Sequence, residues 1–236
     1  MLASRHLTSR TCGTIAVAGD DDRWLLVNAS PDIADDARID VAAAAGRVAG
    51  LVLLDAQLEH AGTLARLARG RTLDLYATPG VFEELTGRLP MLGLHDGGGS
   101  LRWHLVPVAG DVRSAEFRVE GLESLRFVAV DDGGCAAPGS QRHPEALVGD
   151  SIALLIEDRR AGQRLVYSPG ASSGALPWME GADCLLVNGS GCPMSVPQPS
   201  PDARFAATGA RRTVFLHFGD DVEGLELAFA GMEIDL

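Results

Sequence analysis

The 236-residue chain contains no lysine, so all 20 of its basic residues are arginine. This absence excludes a Walker-type phosphate loop, a Schiff-base enzyme and a lysine general base, because each of them depends on a lysine side chain. Positive charge as a whole is scarce, since 32 acidic residues give a formal net charge of −12. Binding to nucleic acid or to an anionic membrane surface needs a basic face, so we expect neither.

Cysteine and long apolar runs are also scarce. The 4 cysteines are dispersed without a C-x-x-C pair, so neither a disulfide framework nor a zinc ribbon is indicated. No signal sequence is recognised after the opening MLASRHLTSR, and no apolar run approaches the ~18 residues of a membrane span. These absences predict a cytoplasmic protein. At about 100–200 residues per domain, we expect a single domain over residues 1–236.

Short apolar segments alternate with turn residues along the chain. Hairpins are predicted over 12–28 and 151–169, and the continuous apolar runs at 50–54 and 181–188 are typical of buried strands. Helical spacing follows some strands, as at 61–70. Other predicted strands are 72–78, 101–108, 115–119, 125–130, 212–218 and 228–236, and other predicted helices are 33–46 and one that begins near Pro79. This mixture predicts an α/β or α+β fold in layers.

Polar side chains follow two of the predicted strands, where the sites of layered folds usually lie. Asp55, Gln57, Glu59 and His60 come directly after the strand at 50–54, and His217 lies near the end of a later strand. Two imidazoles and one carboxylate form the facial triad of non-haem iron, and zinc or manganese accepts similar ligands. An adjacent acid and histidine are also typical of a helix cap with a solvated pair, so both interpretations stay open at this point.

Longer segments resemble a known family. LLVNASPDI (25–33), GLVLLDAQLEHAGTLARL (50–67), GADCLLVNG (181–189) and FAGMEIDL (229–236) resemble, in the same order, the pyrroloquinoline quinone biosynthesis protein B (PqqB) family. SRTCGTIAV and SIALLIEDRRAGQRLVYSPG fit the hairpins of that family. The resemblance implies the metallo-β-lactamase fold, an αββα sandwich of two mixed β-sheets flanked by helices.

The same resemblance implies a chemistry and a site. It implies an iron-dependent oxygenase that hydroxylates the tyrosine ring of a small peptide-derived intermediate in cofactor or natural-product biosynthesis, with Fe(II) as cofactor and zinc as a substitute. His60 and His217 match histidines of the family, and Glu59 stands where aspartate is usual. The implied roles are metal ligation by Glu59, His60 and His217; support of these ligands by Asp55, Asp220 and Asn188; and substrate contact or proton transfer by Gln57 and His143.

The chain departs from the family pattern at several points. Its version of the H-x-H-x-D-H metal loop is Asp55-x-Gln57-x-Glu59-His60, so the first two histidines are absent. The Cys-rich stretch of the family does not precede Ser9, so no structural zinc is expected. These departures favour a second interpretation, a metal-free binding, carrier or partner protein of the same pathway. A metallohydrolase has less support because it needs more ligands. A homodimer and a pathway partner protein both stay open.

Overall fold

The apolar segments of the sequence form strands of two β-sheets that pack face to face. The computed structural model describes residues 13–18, 23–31, 33, 39, 43, 45–88, 99–134, 140, 145–170, 176–188, 205–216, 225–229 and 232–235. Within the described residues, no helix has the length and apolar character needed to cross a membrane.

The first sheet has five strands in the order β1-β2-β3-β4-β5. Their bounds are β1 Ile15–Ala18, β2 Trp24–Val27, β3 Val48–Val52, β4 Thr72–Ala77 and β5 Ser100–Leu105. β1 runs antiparallel to β2, and the later pairs are parallel. The carboxyl ends of β2, β3 and β4 therefore lie at the same edge of the sheet.

The second sheet has six strands in the order β11-β10-β9-β8-β7-β6. Their bounds are β6 Ser114–Phe117, β7 Leu125–Asp131, β8 Ile152–Asp158, β9 Arg164–Ser168, β10 Cys184–Asn188 and β11 Arg212–Leu216. The pairs from β6 to β9 are antiparallel, and β9, β10 and β11 are parallel. The end of β7, the start of β8 and the end of β9 consequently share one edge.

The main core lies between the sheets because side chains alternate along each strand. Val52 and Leu54 face the second sheet, whereas Leu51 and Leu53 pack on the outer face, beneath helices. These helices are α1 (Leu58–Ala61), α2 (Leu64–Leu67) and α3 (Pro79–Arg88). Two 3₁₀ turns, Pro177–Met179 and Ala206–Thr208, contribute Met179 and Thr208 to the buried residues on the other side. The predicted sandwich of two mixed sheets with helices is confirmed.

Two sequence predictions are wrong in detail. The helix predicted over 61–70 is interrupted near its start: α1 ends at Ala61, and α2 covers only Leu64–Leu67. The segment after β2 takes hydrogen bonds that a continuous helix would use, because Ala29 N donates to His60 O at 2.5 Å and Ala29 O accepts from Thr63 N at 2.9 Å. The strand predicted over 228–236 is absent from its described residues, although Leu227 forms one bridge with Phe215. Most of the helix predicted over 33–46 lies outside the described residues.

Candidate active site

One end of the sandwich collects polar side chains from both sheets. Asp55 follows β3, Asp132 follows β7, Ser151 precedes β8 and Ser168 ends β9. Asp55 and Ser151 pair in an antiparallel bridge, and the neighbouring Ile152 N donates to Leu54 O at 2.9 Å. The two sheets are therefore joined by backbone contacts at the level of these side chains.

Asp55 and His60 form a buried pair at this end. Both carboxylate oxygens lie 2.8 Å from His60 Nδ1, and the exposed fractions of Asp55 and His60 are 1% and 3%. The loop between them is short because Gln57 N donates to Asp55 Oδ1 at 3.0 Å and Gln57 O accepts from His60 N at 2.9 Å. A local turn thus brings the carboxylate of Asp55 onto the imidazole, which fixes the ring through Nδ1.

The other predicted residues of this loop lie apart from that pair. Glu59 is exposed and Gln57 is half-buried. Successive residues of a helix point about 100° apart, so adjacency in sequence does not place Glu59 and His60 on one face. The described part of the chain contains no group of three His, Cys, Asp or Glu side chains close enough to hold one metal ion.

Of the site residues predicted elsewhere in the chain, the structure describes only one, Asn188. His143, His217 and Asp220 lie outside the described residues. Asn188 ends β10 and pairs in register with Leu216, the residue that precedes His217. The parallel strands β9, β10 and β11 end at the edge that carries Ser168.

Tyr167 and Asn28 are a pair that the sequence interpretation missed. Tyr167 is 1% exposed, and its hydroxyl donates to Gly13 O at 2.5 Å and accepts from Asn28 Nδ2 at 3.2 Å. Asn28 Oδ1 accepts from Leu54 N at 3.1 Å, with the Asn28 backbone at φ 62°. Asparagine tolerates this left-handed conformation better than most residues. The one feature of the sequence that could have indicated this contact is a polar residue within or directly after an apolar strand at each of the two positions.

Gly13 lies between the phenol and the imidazole. A Cβ atom on Gly13 would stand 2.6 Å from the Tyr167 hydroxyl oxygen and 3.6 Å from His60 Nε2, and the backbone φ is +96°. Only glycine meets both the conformational and the steric demand here. The segment before β1 therefore passes beside Nε2 of His60 and beside the hydroxyl of Tyr167.

Asp132 is a second buried carboxylate that the sequence interpretation missed. It is 4% exposed and accepts hydrogen bonds at 3.0 Å from Ser168 Oγ, Gly134 N and Gly170 N. Ser151 Oγ lies beside the same carboxylate, although outside good hydrogen-bond geometry. Burial raises the pKa of Asp132 above its ordinary value, and these neutral donors only partly offset that rise.

The raised pKa predicts a pH-dependent contribution to stability. The folded protein retains the Asp132 proton to a higher pH than the unfolded chain, in which the pKa is about 3.9. The free energy of unfolding contributed by this group is therefore highest below the unfolded-state pKa and falls as pH rises through the folded-state pKa. We expect Asp132→Asn to lack this fall. Urea unfolding of both proteins over a pH series should show the variant gaining relative to wild type across that interval; a constant difference would contradict it.

Residues 23–218 match the beta-lactamase superfamily domain. The chain belongs to this superfamily. Within it, the chain is similar to coenzyme PQQ synthesis protein B of Klebsiella pneumoniae, with 34% identity over 192 residues, which are 77% of this chain and 60% of that protein. The protein of the same name from Nitrosococcus oceani is 35% identical over 193 residues, 77% of this chain and 62% of that protein. The predicted resemblance is confirmed, and the chain spans about 60% of the length of these relatives.

Solved structures show the same fold. Zn²⁺-bound PqqB from Methylobacterium extorquens matches with a TM-score of 0.74 and 22% identity, over 95% of this chain and 87% of that chain. The short form of human tRNase Z matches with a TM-score of 0.63 and 14% identity, over 94% of this chain and 92% of that chain. At these identities the likeness concerns the fold alone.

Proposed function

We propose that this protein acts in the biosynthesis of PQQ or a related peptide-derived cofactor, as a metal-dependent oxidative enzyme that hydroxylates a tyrosine-derived substrate. The names of its relatives support the pathway. The observation that carries the chemistry is the buried Asp55–His60 pair, which lies on the loop that the sequence resemblance matches to the metal loop of the PqqB family.

The donor chemistry of this pair fits a metal ion. Histidines that bind metals usually donate the other ring N–H to a carboxylate, which fixes the tautomer and the orientation of the ring. Because Asp55 contacts His60 at Nδ1, we propose the other ring nitrogen, Nε2, as the atom that binds the metal. We propose His217 and Glu59 as the remaining ligands of Fe(II), with zinc as a substitute; Glu59, which is exposed, reaches the ion only if its side chain turns toward Nε2 of His60. Bound iron of this ligand type supplies dioxygen activation next to a substrate ring.

The residues of the chain then have separate tasks. Asp55 accepts a hydrogen bond from the Nδ1–H of His60 and holds the ring in one orientation, since both groups are buried. The bonds from Tyr167 and Asn28 hold Gly13, before β1, and Leu54, after β3, near that ring. Gln57 is half-buried at the edge of the loop, where it can donate to a substrate carbonyl or carboxylate. We propose His143 as a proton-transfer group.

Metal binding tests this proposal without an activity assay. Protein reconstituted anaerobically with Fe(II) and desalted should retain about one metal ion per chain, and His60→Ala should lose it because the oriented imidazole is removed. His104→Ala is a matched control, since His104 Nε2 also lies against a carboxylate, 2.7 Å from Asp74 Oδ1, but on the half-exposed β5. Retention of metal by His60→Ala, or equal loss in both variants, would contradict the assignment.

One observation favours a second function, a metal-free binding or carrier protein of the same pathway. Asp55 takes the place of the first histidine of the metal loop, and both of its oxygens contact His60. If wild-type protein retains no stoichiometric metal after reconstitution, the enzyme proposal fails. The carrier function then predicts that the peptide-derived intermediate binds with equal affinity with and without a chelator.

A further inference from the structure

The Asp132 carboxylate lies where three chain segments meet: its own loop, the start of β8 and the loop after β9. It accepts bonds from Gly134 N on its own loop and from Ser168 Oγ and Gly170 N on the loop after β9. Asp132, Ser151 and Ser168 are all at most 4% exposed. Every partner of the carboxylate in the described residues is a neutral donor. The carboxylate therefore accepts several hydrogen bonds and forms no ion pair with those residues.

Two glycines make this packing available. A Cβ on Gly170 would lie 2.7 Å from both Asp132 Oδ1 and Ser151 Oγ, and a Cβ on Gly134 would lie 2.5 Å from Ser151 Oγ. Real Cβ atoms do not approach polar atoms this closely, so both loops reach the carboxylate only through residues that lack a side chain. The contacts around Asp132 therefore require glycine at two positions, 134 and 170, in addition to the hydroxyl of Ser168.

The cluster adjoins the candidate active site on two sides. Ser151 pairs through its backbone with Asp55, the partner of His60. Ser168, which bonds to Asp132, directly follows Tyr167, whose hydroxyl contacts Gly13 O at 2.5 Å. The end of β9 is thus fixed by Asp132 immediately beyond Tyr167, which bonds to Gly13 beside the imidazole.

We propose that Asp132 is a positioning residue for the active site. By holding Ser168 and Gly170, it fixes the position of the Tyr167 hydroxyl relative to Gly13 and to Nε2 of His60. Its effect on turnover rests on the proposed function, but its effect on Tyr167 does not. A shift of the phenol by an ångström would open the contact with Gly13 O, because a hydrogen bond weakens steeply with distance and angle.

The chain contains its own probe, since it has only two tyrosines, Tyr76 and Tyr167. We would label the metal-free protein with [¹³Cζ]tyrosine and assign the two NMR signals with Tyr76→Phe. Asp132→Asn and Ser168→Ala should both shift the Tyr167 signal and leave the Tyr76 signal in place. Thr208→Ala is the matched control, because Thr208 is equally buried and donates to Phe205 O at 2.8 Å on the outer face of the second sheet.

The outcomes separate cleanly. An unchanged Tyr167 signal in folded Ser168→Ala or Asp132→Asn, or an equal shift in Thr208→Ala, would overturn the positioning role. Should Asp132→Asn not fold, Ser168→Ala, which removes one hydroxyl, decides the matter. If Tyr167 shifts and the protein binds Fe(II), kcat should fall by about 10–100-fold, as misplacement of a reacting geometry predicts. If Tyr167 shifts but no metal binds, the proposed function fails and the positioning role stands.

Discussion

Asp55→Ala is expected to lower the free energy of unfolding by about 1–3 kcal/mol, the usual cost of leaving a buried hydrogen-bonding group without its partner. Asp55 and His60 are 1% and 3% exposed, so solvent cannot replace the lost carboxylate. The same change releases the ring of His60, and the affinity for Fe(II) should fall by about 10–100-fold. Urea unfolding and metal titration of the purified variant measure the two effects.

The matched control for this change is Asp74→Ala. Asp74 also contacts a histidine, His104, at 2.7 Å, but the exposed fractions of the two side chains are 26% and 36%. Exposed pairs contribute at most about 1 kcal/mol, and this pair lies away from the loop that carries His60. Equal losses of stability in the two variants would show that burial of the Asp55–His60 pair has no energetic consequence, contrary to the expectation.

Gly149→Ala is expected to have a similarly large effect on stability. A Cβ at Gly149 would lie 2.1 Å from Val108 O, which is a backbone atom that cannot turn aside, and φ is +89°. A left-handed backbone costs a non-glycine residue roughly 1–2 kcal/mol, and overpacking adds roughly 1–3 kcal/mol. Gly149 also joins the sheets, because its carbonyl accepts from Thr78 Oγ1 at 2.6 Å and its N–H donates to Asp131 Oδ1 at 3.2 Å.

Gly162→Ala isolates the steric part of that cost. Gly162 has a φ of +69°, and a Cβ there would meet nothing within 4 Å, so only the backbone penalty applies. Thermal and urea unfolding should therefore place Gly162→Ala between wild type and Gly149→Ala. Equal stability of the two variants would mean that the segment around Val108 moves freely to admit the methyl group.

The sequence predicted the local parts of the fold well. The hairpins β1–β2 and β8–β9 form within short stretches, so alternation and turn residues were enough to place them. The division between α1 and α2 was not predictable in this way. It depends on Thr63, whose N–H bonds to Ala29 O and whose hydroxyl donates to Ser30 O at 2.8 Å, across 33 positions.

The candidate site shows the same difference between local contacts, which could be predicted, and contacts between distant segments, which could not. The loop of Asp55 and His60 was recognisable because its polar residues directly follow a buried strand, and their contact spans five positions. Tyr167 and Asp132 were missed, because their partners come from distant strands and neither residue type is unusual next to a strand. A single sequence carries no information on which of two acidic residues, Asp131 or Asp132, faces inward after β7; the structure shows that Asp132 does.

The bond between Tyr167 and Gly13 has a consequence for how the protein is made. It joins residues 154 positions apart, and the bond from Asn28 to Tyr167 spans 139 positions. On the ribosome, the turn that carries His60 can form early, whereas Tyr167, which bonds to Gly13 beside the imidazole, is synthesised more than a hundred residues later. Contacts of such long range form slowly because the intervening loop must close first. A nascent chain therefore passes through a stage in which the imidazole is already oriented but Gly13 is not yet held beside it by Tyr167.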